Sequence, residues 1–301
     1  MSINRNQCLK GNIPKSYIEY QNYRDYYQSF IQGSTVIIPH GVTEIKRNAY
    51  WGCTSIETVV IPDTVQTIGD RAFEGCTSLK DVTIPNSVTE LGYAAFRKCE
   101  SLKSVQLSNR LTKILLGTFS DCKCLSHIII PDSISEIGMS AFERCENLSS
   151  IKMSPNIKEI QQSAFAGCSG LTNFYFPKQL KTISLSLLNG CSSLQEVIIP
   201  ENVSEIDHWA FFGCTGVKRI SIPSGVTRIH TGAMAGCKNL IRLEVHIDSL
   251  SKIRDLLYCA GVERKWQMTL SVPVGTELSL SNNDNYRFFF RFKKIVADLD
   301  P

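Results

Sequence analysis

Apolar and polar positions follow one another along the chain in a pattern that repeats every 23 residues. One complete copy, residues 61–83, reads IPDTVQTIGDRAFEGCTSLKDVT, in which single apolar residues are separated by short polar groups. The step links nine positions without an insertion or a deletion. The cysteines that mark it are Cys53, Cys76, Cys99, Cys122, Cys145, Cys168, Cys191, Cys214 and Cys237. A fixed period of this length indicates a repeat protein, so we expect an array of similar units.

Each copy divides into two predicted elements. Val82 and Ile84 lie two residues apart, and the equivalent positions of the other copies are mostly β-branched. This spacing predicts a short strand with these side chains facing inward. Proline ends the strand in most copies, because it has no amide proton to donate to a neighbouring strand. The Ala-Phe-x-x-Cys segment, residues 72–76 in this copy, predicts a single helical turn that buries the phenylalanine and the cysteine.

A single copy has too few apolar side chains to fold alone, so the copies are expected to stack. Fixing the backbone costs about 1 to 2 kcal/mol per residue, and only a neighbouring coil supplies the missing apolar wall. Nine strands at a spacing of about 4.8 Å predict one parallel sheet roughly 40 Å long. Crossovers between parallel strands are almost always right-handed. The predicted fold is therefore an α/β repeat, a right-handed solenoid with a parallel β-sheet on the concave face and short helical turns on the convex face.

The ends of such a stack expose apolar edges, and each end needs a cap. Before the repeats, aromatic and aliphatic residues at helical intervals predict a capping helix, although the same residues would also suit a tyrosine-rich ligand patch. These residues are Tyr17, Tyr20, Tyr23, Tyr27, Phe30 and Ile31. After the repeats we expect a helix and two short strands, around Leu270 and at 288–292. The predicted organisation is an N-terminal helical cap at 1–32, a nine-repeat solenoid at 33–246 and a C-terminal cap at 247–301.

The repeat resembles a known family. The pattern Leu-x-x-Val-x-Ile-Pro-x-x-Val-x-x-Ile-x-x-x-Ala-Phe-x-x-Cys, over about residues 33–246, is similar to the BspA-type (Treponema pallidum-type) leucine-rich repeat, found mainly in bacterial surface proteins. Residues 272–298, VPVGTELSLSNNDNYRFFFRFKKIVAD, resemble the Val-Pro-x-Gly-Thr cap that often closes such arrays in Bacteroidetes proteins. The resemblance implies a curved leucine-rich-repeat solenoid that binds proteins or extracellular matrix, and it brings no catalytic residues.

Charge and hydropathy exclude two classes of partner. The 301 residues include 32 basic and 28 acidic side chains, and a net charge of +4 does not indicate the concentrated basic patch that nucleic acid requires. No segment approaches the roughly 18 consecutive apolar residues of a membrane span, and residues 1–17 lack the apolar core of a secretion signal. We expect a monomer. The resemblance implies the cell surface or secretion, whereas a full-length chain without a signal would be cytoplasmic.

Cysteines and histidines are the candidates for chemistry. Stacked cysteines would have parallel Cβ vectors, which are unsuited to disulfides, so we expect buried thiols that act as small hydrophobic residues. Cys122-x-Cys124-x-x-His127 has ligand-like spacing, but Cys122 belongs to the core column and zinc needs converging ligands. No nucleophile elbow, phosphate loop or His-Glu-x-x-His motif is present. We therefore predict no catalytic residue, no metal and no cofactor.

The outward residues of the predicted strands differ from one copy to the next, as on a recognition surface or on an unconstrained one. A binding surface would combine apolar anchors with a polar rim. The candidate binding residues are His127, Ile129, Lys152, Asn173, Tyr175, Ile198 and Arg219. The resulting hypothesis is a non-enzymatic protein that recognises a protein, matrix or glycan partner, including for adhesion. The alternative is a structural spacer or adaptor in a cell-surface or intracellular assembly, joined through Trp209 and Phe212 on the convex side.

Overall fold

A computed structural model describes residues 25–247, 249, 252–253, 257, 260–262, 267–276 and 292–299. Short strands make up almost all of the regular structure in these residues. In chain order they are β1 (Ile31–Gln32), β2 (Thr35–Ile37), β3 (Glu44–Ile45), β4 (Thr58–Val60), β5 (Thr67–Ile68), β6 (Asp81–Thr83), β7 (Glu90–Leu91), β8 (Ser104–Gln106), β9 (Lys113–Ile114), β10 (His127–Ile129), β11 (Glu136–Ile137), β12 (Ser150–Lys152), β13 (Glu159–Ile160), β14 (Thr182–Ile183), β15 (Glu196–Ile198), β16 (Glu205–Ile206), β17 (Arg219–Ile222), β18 (Arg228–Ile229), β19 (Arg242–Val245), β20 (Thr269–Pro273) and β21 (Lys294–Leu299).

The longer strands form the predicted column and make the chain a parallel-strand solenoid of about ten coils. The column consists of β2, β4, β6, β8, β10, β12, β15, β17 and β19. Paired residues are one repeat apart, as in Ile128 with Ile151 and Val197 with Ile220. The middle residue of each three-residue strand points into the core, because side chains alternate along a strand. We call the outward side of this column the strand face. A coil runs from its strand to its column cysteine, so the seventh coil is residues 173–191.

A second column of strands, which the sequence did not predict, lies on another side of each coil. It consists of β3, β5, β7, β9, β11, β13, β14, β16 and β18, each two residues long. These strands pair in parallel within three groups, β3-β5-β7, β9-β11-β13 and β14-β16-β18. In β5, Ile68 is buried and Thr67 is half-buried. A pair of residues is too short for alternation to be visible in a sequence, which explains why this column was missed. We call it the second ladder.

The prediction of helical turns on the convex face is wrong. The segment around the Ala-Phe-x-x-Cys motif is a series of tight turns in every coil. In the second coil Arg71 and Gly75 have positive φ, of 54° and 77°, and a helix cannot pass through such residues. The other coils up to the ninth have the same pair, four positions apart: Asn48 and Gly52, Ala94 and Lys98, Gly117 and Asp121, Ser140 and Arg144, Ser163 and Gly167, Ser186 and Gly190, Trp209 and Gly213, Gly232 and Gly236. We call this side the turn face.

Backbone hydrogen bonds join the coils on both of these sides, and they run in opposite directions. On the turn face the amides of Arg71, Phe73 and Gly75 donate to carbonyls of the following coil. Along the second ladder the amides of Gln66 and Gly69 donate to carbonyls of the preceding coil. Equivalent bonds recur in most coils. Each coil is therefore tied to both of its neighbours, as stacking requires.

An internal column of aromatic rings fills the core of the first six coils. Neighbouring rings are stacked with centroids 5.1 to 5.7 Å apart and with planes within 14° of parallel. The rings belong to Tyr50, Phe73, Phe96, Phe119, Phe142 and Phe165. Each stacked pair contributes about 0.5 to 1.5 kcal/mol beyond the burial of its apolar area.

The column cysteines line the core beside these rings. Cys76 is buried, and its Sγ donates a hydrogen bond to the carbonyl of Tyr50 in the preceding coil at 3.3 Å. The same bond recurs with distances of 3.1 to 3.3 Å up to Cys237. Burial raises the pKa of the Cys99 thiol and of its equivalents, so they stay protonated as donors. No cysteine in the described part of the chain forms a disulfide.

The prediction of one continuous sheet is wrong. The column divides into three sheets, with strand orders β1-β2-β4-β6-β8, β10-β12 and β15-β17-β19-β20-β21. One break lies between β8 and β10. The other coincides with residues 171–177, which form no strand.

Both ends of the array are described only in part. Tyr27 lies in a helical turn at 25–28, and its buried ring contacts Tyr50 edge-on with centroids 5.9 Å apart. The remainder of the predicted N-terminal cap, residues 1–24 with Tyr17, Tyr20 and Tyr23, lies outside the described residues, as do residues 288–291 of the predicted C-terminal strand. At the C-terminal side, β20 and β21 extend the last sheet in parallel. None of the described helical segments has the length and apolar character needed to cross a bilayer.

Candidate functional site

The seventh coil departs from the aromatic column. Leu188 occupies the position at which the first six coils have a ring. Phe174 and Phe176 occupy inward positions of its strand segment, where most coils have valine, isoleucine or leucine. The ring of Phe174 contacts Phe165 with centroids 5.2 Å apart, and Phe176 contacts Phe211 at 6.4 Å, both edge-on. The two rings therefore fill the core space that the smaller Leu188 leaves.

The transfer of aromatic volume from position 188 to positions 174 and 176 accounts for the missing strand. Two phenyl rings are larger than the β-branched residues they replace, and a close-packed core accommodates them by moving the backbone. In the described part of the chain, residues 173–176 form no hydrogen bond with other backbone groups, whereas β12 and β15 on either side pair regularly with their other neighbours. The seventh coil thus interrupts the strand face.

A small apolar cleft opens at this interruption. Its volume is about 240 Å³. It is lined by Asn173, Phe174, Tyr175, Phe176, Lys178, Glu196, Ile198 and Pro200. The side chain of Tyr175 is 78% exposed and that of Ile198 is 51% exposed, so both are accessible beside the cleft. The positions of Lys178 and Glu196 give it one basic and one acidic edge.

The predicted binding residues fall into two groups on the strand face. Asn173, Tyr175 and Ile198 meet at the cleft. His127, Ile129 and Lys152 lie on β10 and β12, where Ile129 is opposite Lys152. The second group is exposed but is not part of the cleft. The Nδ1 atom of His127 lies 3.0 Å from the hydroxyl of Ser126.

Arg219, the remaining predicted residue, is held in a network of ion pairs. Its Nε and Nη2 atoms donate to the two carboxylate oxygens of Glu244, each at 2.8 Å, and Nη1 lies 3.3 Å from Glu196. Arg242 joins Glu244 to Asp298 with bonds of 2.8 and 2.9 Å. Burial opposes ionisation of Glu244, but the arginine hydrogen bonds outweigh it and lower the pKa of this carboxyl. Arg219 therefore fixes one border of the cleft through Glu196.

A sequence model of the BspA type leucine rich repeat region matches residues 23–149 and 135–260, in six copies. Together the two matches cover most of the chain. The chain belongs to the BspA-type leucine-rich repeat family. No curated protein matches it.

Several solved structures resemble this BspA-type protein, three of them as follows. A leucine rich cell surface protein of Faecalibacterium prausnitzii is 27% identical over 77% of this chain and 64% of that one, with a TM-score of 0.49. The chain thus spans less than two thirds of that protein's length. A leucine-rich repeat protein of T. pallidum is 26% identical over 70% of this chain and 88% of that one, with a TM-score of 0.48. The pneumococcal vaccine antigen PcpA, 17% identical, covers 88% of this chain and 79% of its own, with a TM-score of 0.55, and supports the fold alone.

Sequence reasoning about this BspA-type protein named Tyr175 and Ile198 but missed the cleft beside them. The contributions of Phe176 and Lys178 depend on the displaced backbone of the seventh coil. The signal was available in the columns, because Leu188 lacks a ring in the same coil that has Phe174 and Phe176. Reading each column separately did not reveal this compensation.

The residues that could hold a metal ion lie elsewhere. The Cys122 thiol is buried and donates to the carbonyl of Phe96, while His127 is exposed on the strand face. Asp207, His208 and His230 form a group between the second ladder and the turn face, which sequence reasoning also missed because it compared histidines by column. This group is not part of the cleft.

Proposed function

We propose that this BspA-type protein is a non-enzymatic recognition protein, and that the cleft of the seventh coil receives an apolar or aromatic side chain from a protein partner. The observation that carries the proposal is the 78% exposed ring of Tyr175 beside an apolar cleft in the strand face. Exposed tyrosines next to small pockets are typical anchors of protein interfaces, because the ring adds a large contact area with few rotatable bonds.

The chemistry of the cleft favours a protein over a glycan. Phe176, Ile198 and Pro200 give it apolar walls, which suit an aromatic, proline or leucine side chain better than the hydroxyls of a sugar. The backbone of residues 173–176 has hydrogen-bonding groups that are not used by other backbone in the described part of the chain. These groups lie between β12 and β15 within the strand face, so the contact offered to a partner is made by the apolar side chains of the cleft.

The remaining predicted residues would extend this contact along the strand face. His127, Ile129 and Lys152 lie one to two coils before the cleft, at a strand spacing of about 4.8 Å. Ile129 is 57% exposed and adds a second apolar anchor, with His127 and Lys152 as its polar surroundings. We infer a footprint of a few coils, used at the cell surface for adhesion or a related contact, as the family resemblance implied.

A peptide-display selection tests this function without a known partner. Selection is made on the wild-type protein, followed by binding measurements on Tyr175→Ala and Ile198→Ala. We expect peptides enriched in aromatic residues or proline, with binding weakened at least about tenfold by either change, as for a hot-spot residue. Val60→Ala is the matched control, since Val60 is 49% exposed in the same column of a regular coil.

Two outcomes would contradict the proposal. Peptides that bind Tyr175→Ala and wild type equally place the recognition surface elsewhere. A glycan array that gives Tyr175-dependent binding, together with a failed peptide selection, identifies a sugar ligand instead.

A second candidate function, a structural spacer or adaptor, is favoured by one observation. Trp209 is 47% exposed and Phe212 is 43% exposed on the turn face of the eighth coil. Neighbouring exposed aromatic residues of this kind can join copies or partners in an assembly. Light scattering distinguishes the two functions: an oligomer that grows with concentration and is lost in Trp209→Ser with Phe212→Ser supports the spacer, whereas a monomer supports the recognition protein.

A further inference from the structure

A group of side chains with metal-ligand chemistry lies on the eighth and ninth coils. Asp207 and His230 occupy equivalent positions one repeat apart, and His208 follows Asp207 directly. One potential ligand atom from each of the three lies within 4.8 Å of the other two. Among the described residues, no other group of three such side chains converges in this way.

We propose that Asp207, His208 and His230 bind a divalent metal ion of the zinc class. Two imidazoles and one carboxylate are donors that suit Zn²⁺, Co²⁺ and Ni²⁺. In a tetrahedral site, ligand bonds of about 2.0 to 2.2 Å place the donors about 3.3 to 3.6 Å from one another. Small rotations of these side chains are therefore enough to close the site, which leaves a fourth position for water or another carboxylate.

The backbone holds the three residues in place. The amide of Asp207 donates to the carbonyl of Ile183 at 2.9 Å, and the amide of His230 donates to Ile206 at 2.8 Å. The carbonyl of His208 accepts a bond of 3.0 Å from the amide of Ser186. Because these bonds belong to the regular contacts between coils, the ligands stand on a rigid frame.

A second carboxylate supports the same imidazoles. Glu205 Oε1 lies 2.5 Å from His230 Nε2, and Asp207 Oδ1 lies 2.7 Å from His208 Nδ1. The two imidazole centroids are 4.5 Å apart. A carboxylate that binds one ring nitrogen fixes the orientation of the ring and strengthens the other nitrogen as a ligand, which is the role of Glu205 toward His230.

The surroundings allow an ion to enter. The side chains of His208 and His230 are 41% and 26% exposed. Arg228 lies 3.4 Å from Glu205 and is the one positive side chain paired with the group in the described part of the chain. It is 67% exposed and contacts Glu205 alone among the four acidic and histidine residues, so it leaves Asp207 and the imidazoles available.

Cobalt titration of the full chain, with its thiols kept reduced, tests the site. The ring of Trp209 lies 5.9 Å from that of His208, so a paramagnetic Co²⁺ bound there quenches its fluorescence. We expect saturable quenching of tryptophan fluorescence in wild type. The Trp209→Phe variant should lack this saturable quenching. Binding should be lost in His208→Gln and in His230→Gln, and it should weaken by about 10- to 100-fold in Glu205→Gln.

Matched controls separate this site from the thiols and from unfolding. His127→Gln and Cys124→Ser remove the other ligand-like cluster and should leave the Co²⁺ affinity unchanged. Zn²⁺ should raise the melting temperature of wild type but not of His230→Gln, because a ligand stabilises only the state that binds it. Circular dichroism establishes that each variant is folded.

Three results would overturn the proposal: Co²⁺ binding that survives His208→Gln or His230→Gln, a thiolate-to-cobalt charge-transfer band, or quenching that does not saturate.

Discussion

The first six coils and the seventh solve the same packing problem in different ways. In the six regular coils, each ring stacks on the ring of the previous coil, and the strands pair in register except between β8 and β10. In the seventh coil, Leu188 lacks the ring, and Phe174 and Phe176 restore the volume from the strand segment. The seventh coil keeps the core filled but loses its strand pairing.

This difference shows that the fold depends on the total volume of apolar side chains in the core. The core tolerates a change in which position supplies the aromatic volume, provided that the total is kept. At the seventh coil the strand face loses its pairing, and in the second ladder β14 of this coil still pairs with β16 although not with β13. The interruption also creates the cleft, so the least regular coil holds the most exposed aromatic side chain on the strand face.

The largest expected effect is in the regular column. Phe142→Ala removes a fully buried ring stacked on both neighbours, and we expect a loss of about 3 to 5 kcal/mol in the free energy of unfolding. Tyr175→Ala, at an exposed ring, should change it by less than about 0.5 kcal/mol. Urea unfolding followed by circular dichroism measures both, and equal effects would invalidate the assignment of the columns.

A second test restores the regular pattern in the seventh coil. Leu188→Phe alone should destabilise the protein by about 1 to 3 kcal/mol, because Phe174 and Phe176 already occupy the space. Combining it with Phe174→Val and Phe176→Ile should recover part of that loss, with a coupling of about 0.5 to 3 kcal/mol. Additive effects in this cycle would refute the compensation.

The thiol column allows a smaller comparison. Cys145 is buried and donates to the carbonyl of Phe119, so Cys145→Ala should cost about 1 to 2 kcal/mol through the lost hydrogen bond and the small cavity. Cys124 is half-buried and lies outside the column, so Cys124→Ala should change the free energy of unfolding by no more than about 0.5 kcal/mol. Urea denaturation midpoints of the two variants measure this difference, and equal midpoints would contradict the structural role of the Cys145 thiol.

The smallest expected effect lies beyond the seventh coil, where ion pairs cover the strand face. The pKa of Glu244 is lowered in the folded state, so its stabilisation is complete above the unfolded value near 4.3 and is lost as pH falls through the folded value. Wild type should therefore lose more stability between pH 6 and pH 3 than Glu244→Gln. We expect a difference below about 1 kcal/mol, measured from urea midpoints, and the opposite sign would contradict the network.

Sequence reasoning succeeded where one residue type recurs in one column. The stacked rings and the buried cysteines followed directly from the 23-residue spacing. It failed for the turn face, because residues such as Arg71 and Ala94 adopt positive φ without being glycine, and the backbone bonds between coils hold them there. The contacts of Phe176 with Phe211, and of His208 with Asp207 and His230, escaped prediction because they join different columns.

The opposed hydrogen bonds on the two sides of each coil have an electrostatic consequence. Amides such as Phe73 point toward the C-terminal end of the stack, and amides such as Gly69 point toward the N-terminal end. In an α-helix all peptide dipoles add along the axis, so partial charge accumulates at the termini. Here the two sets largely cancel, and an array of this design can gain or lose coils without building up charge at its ends.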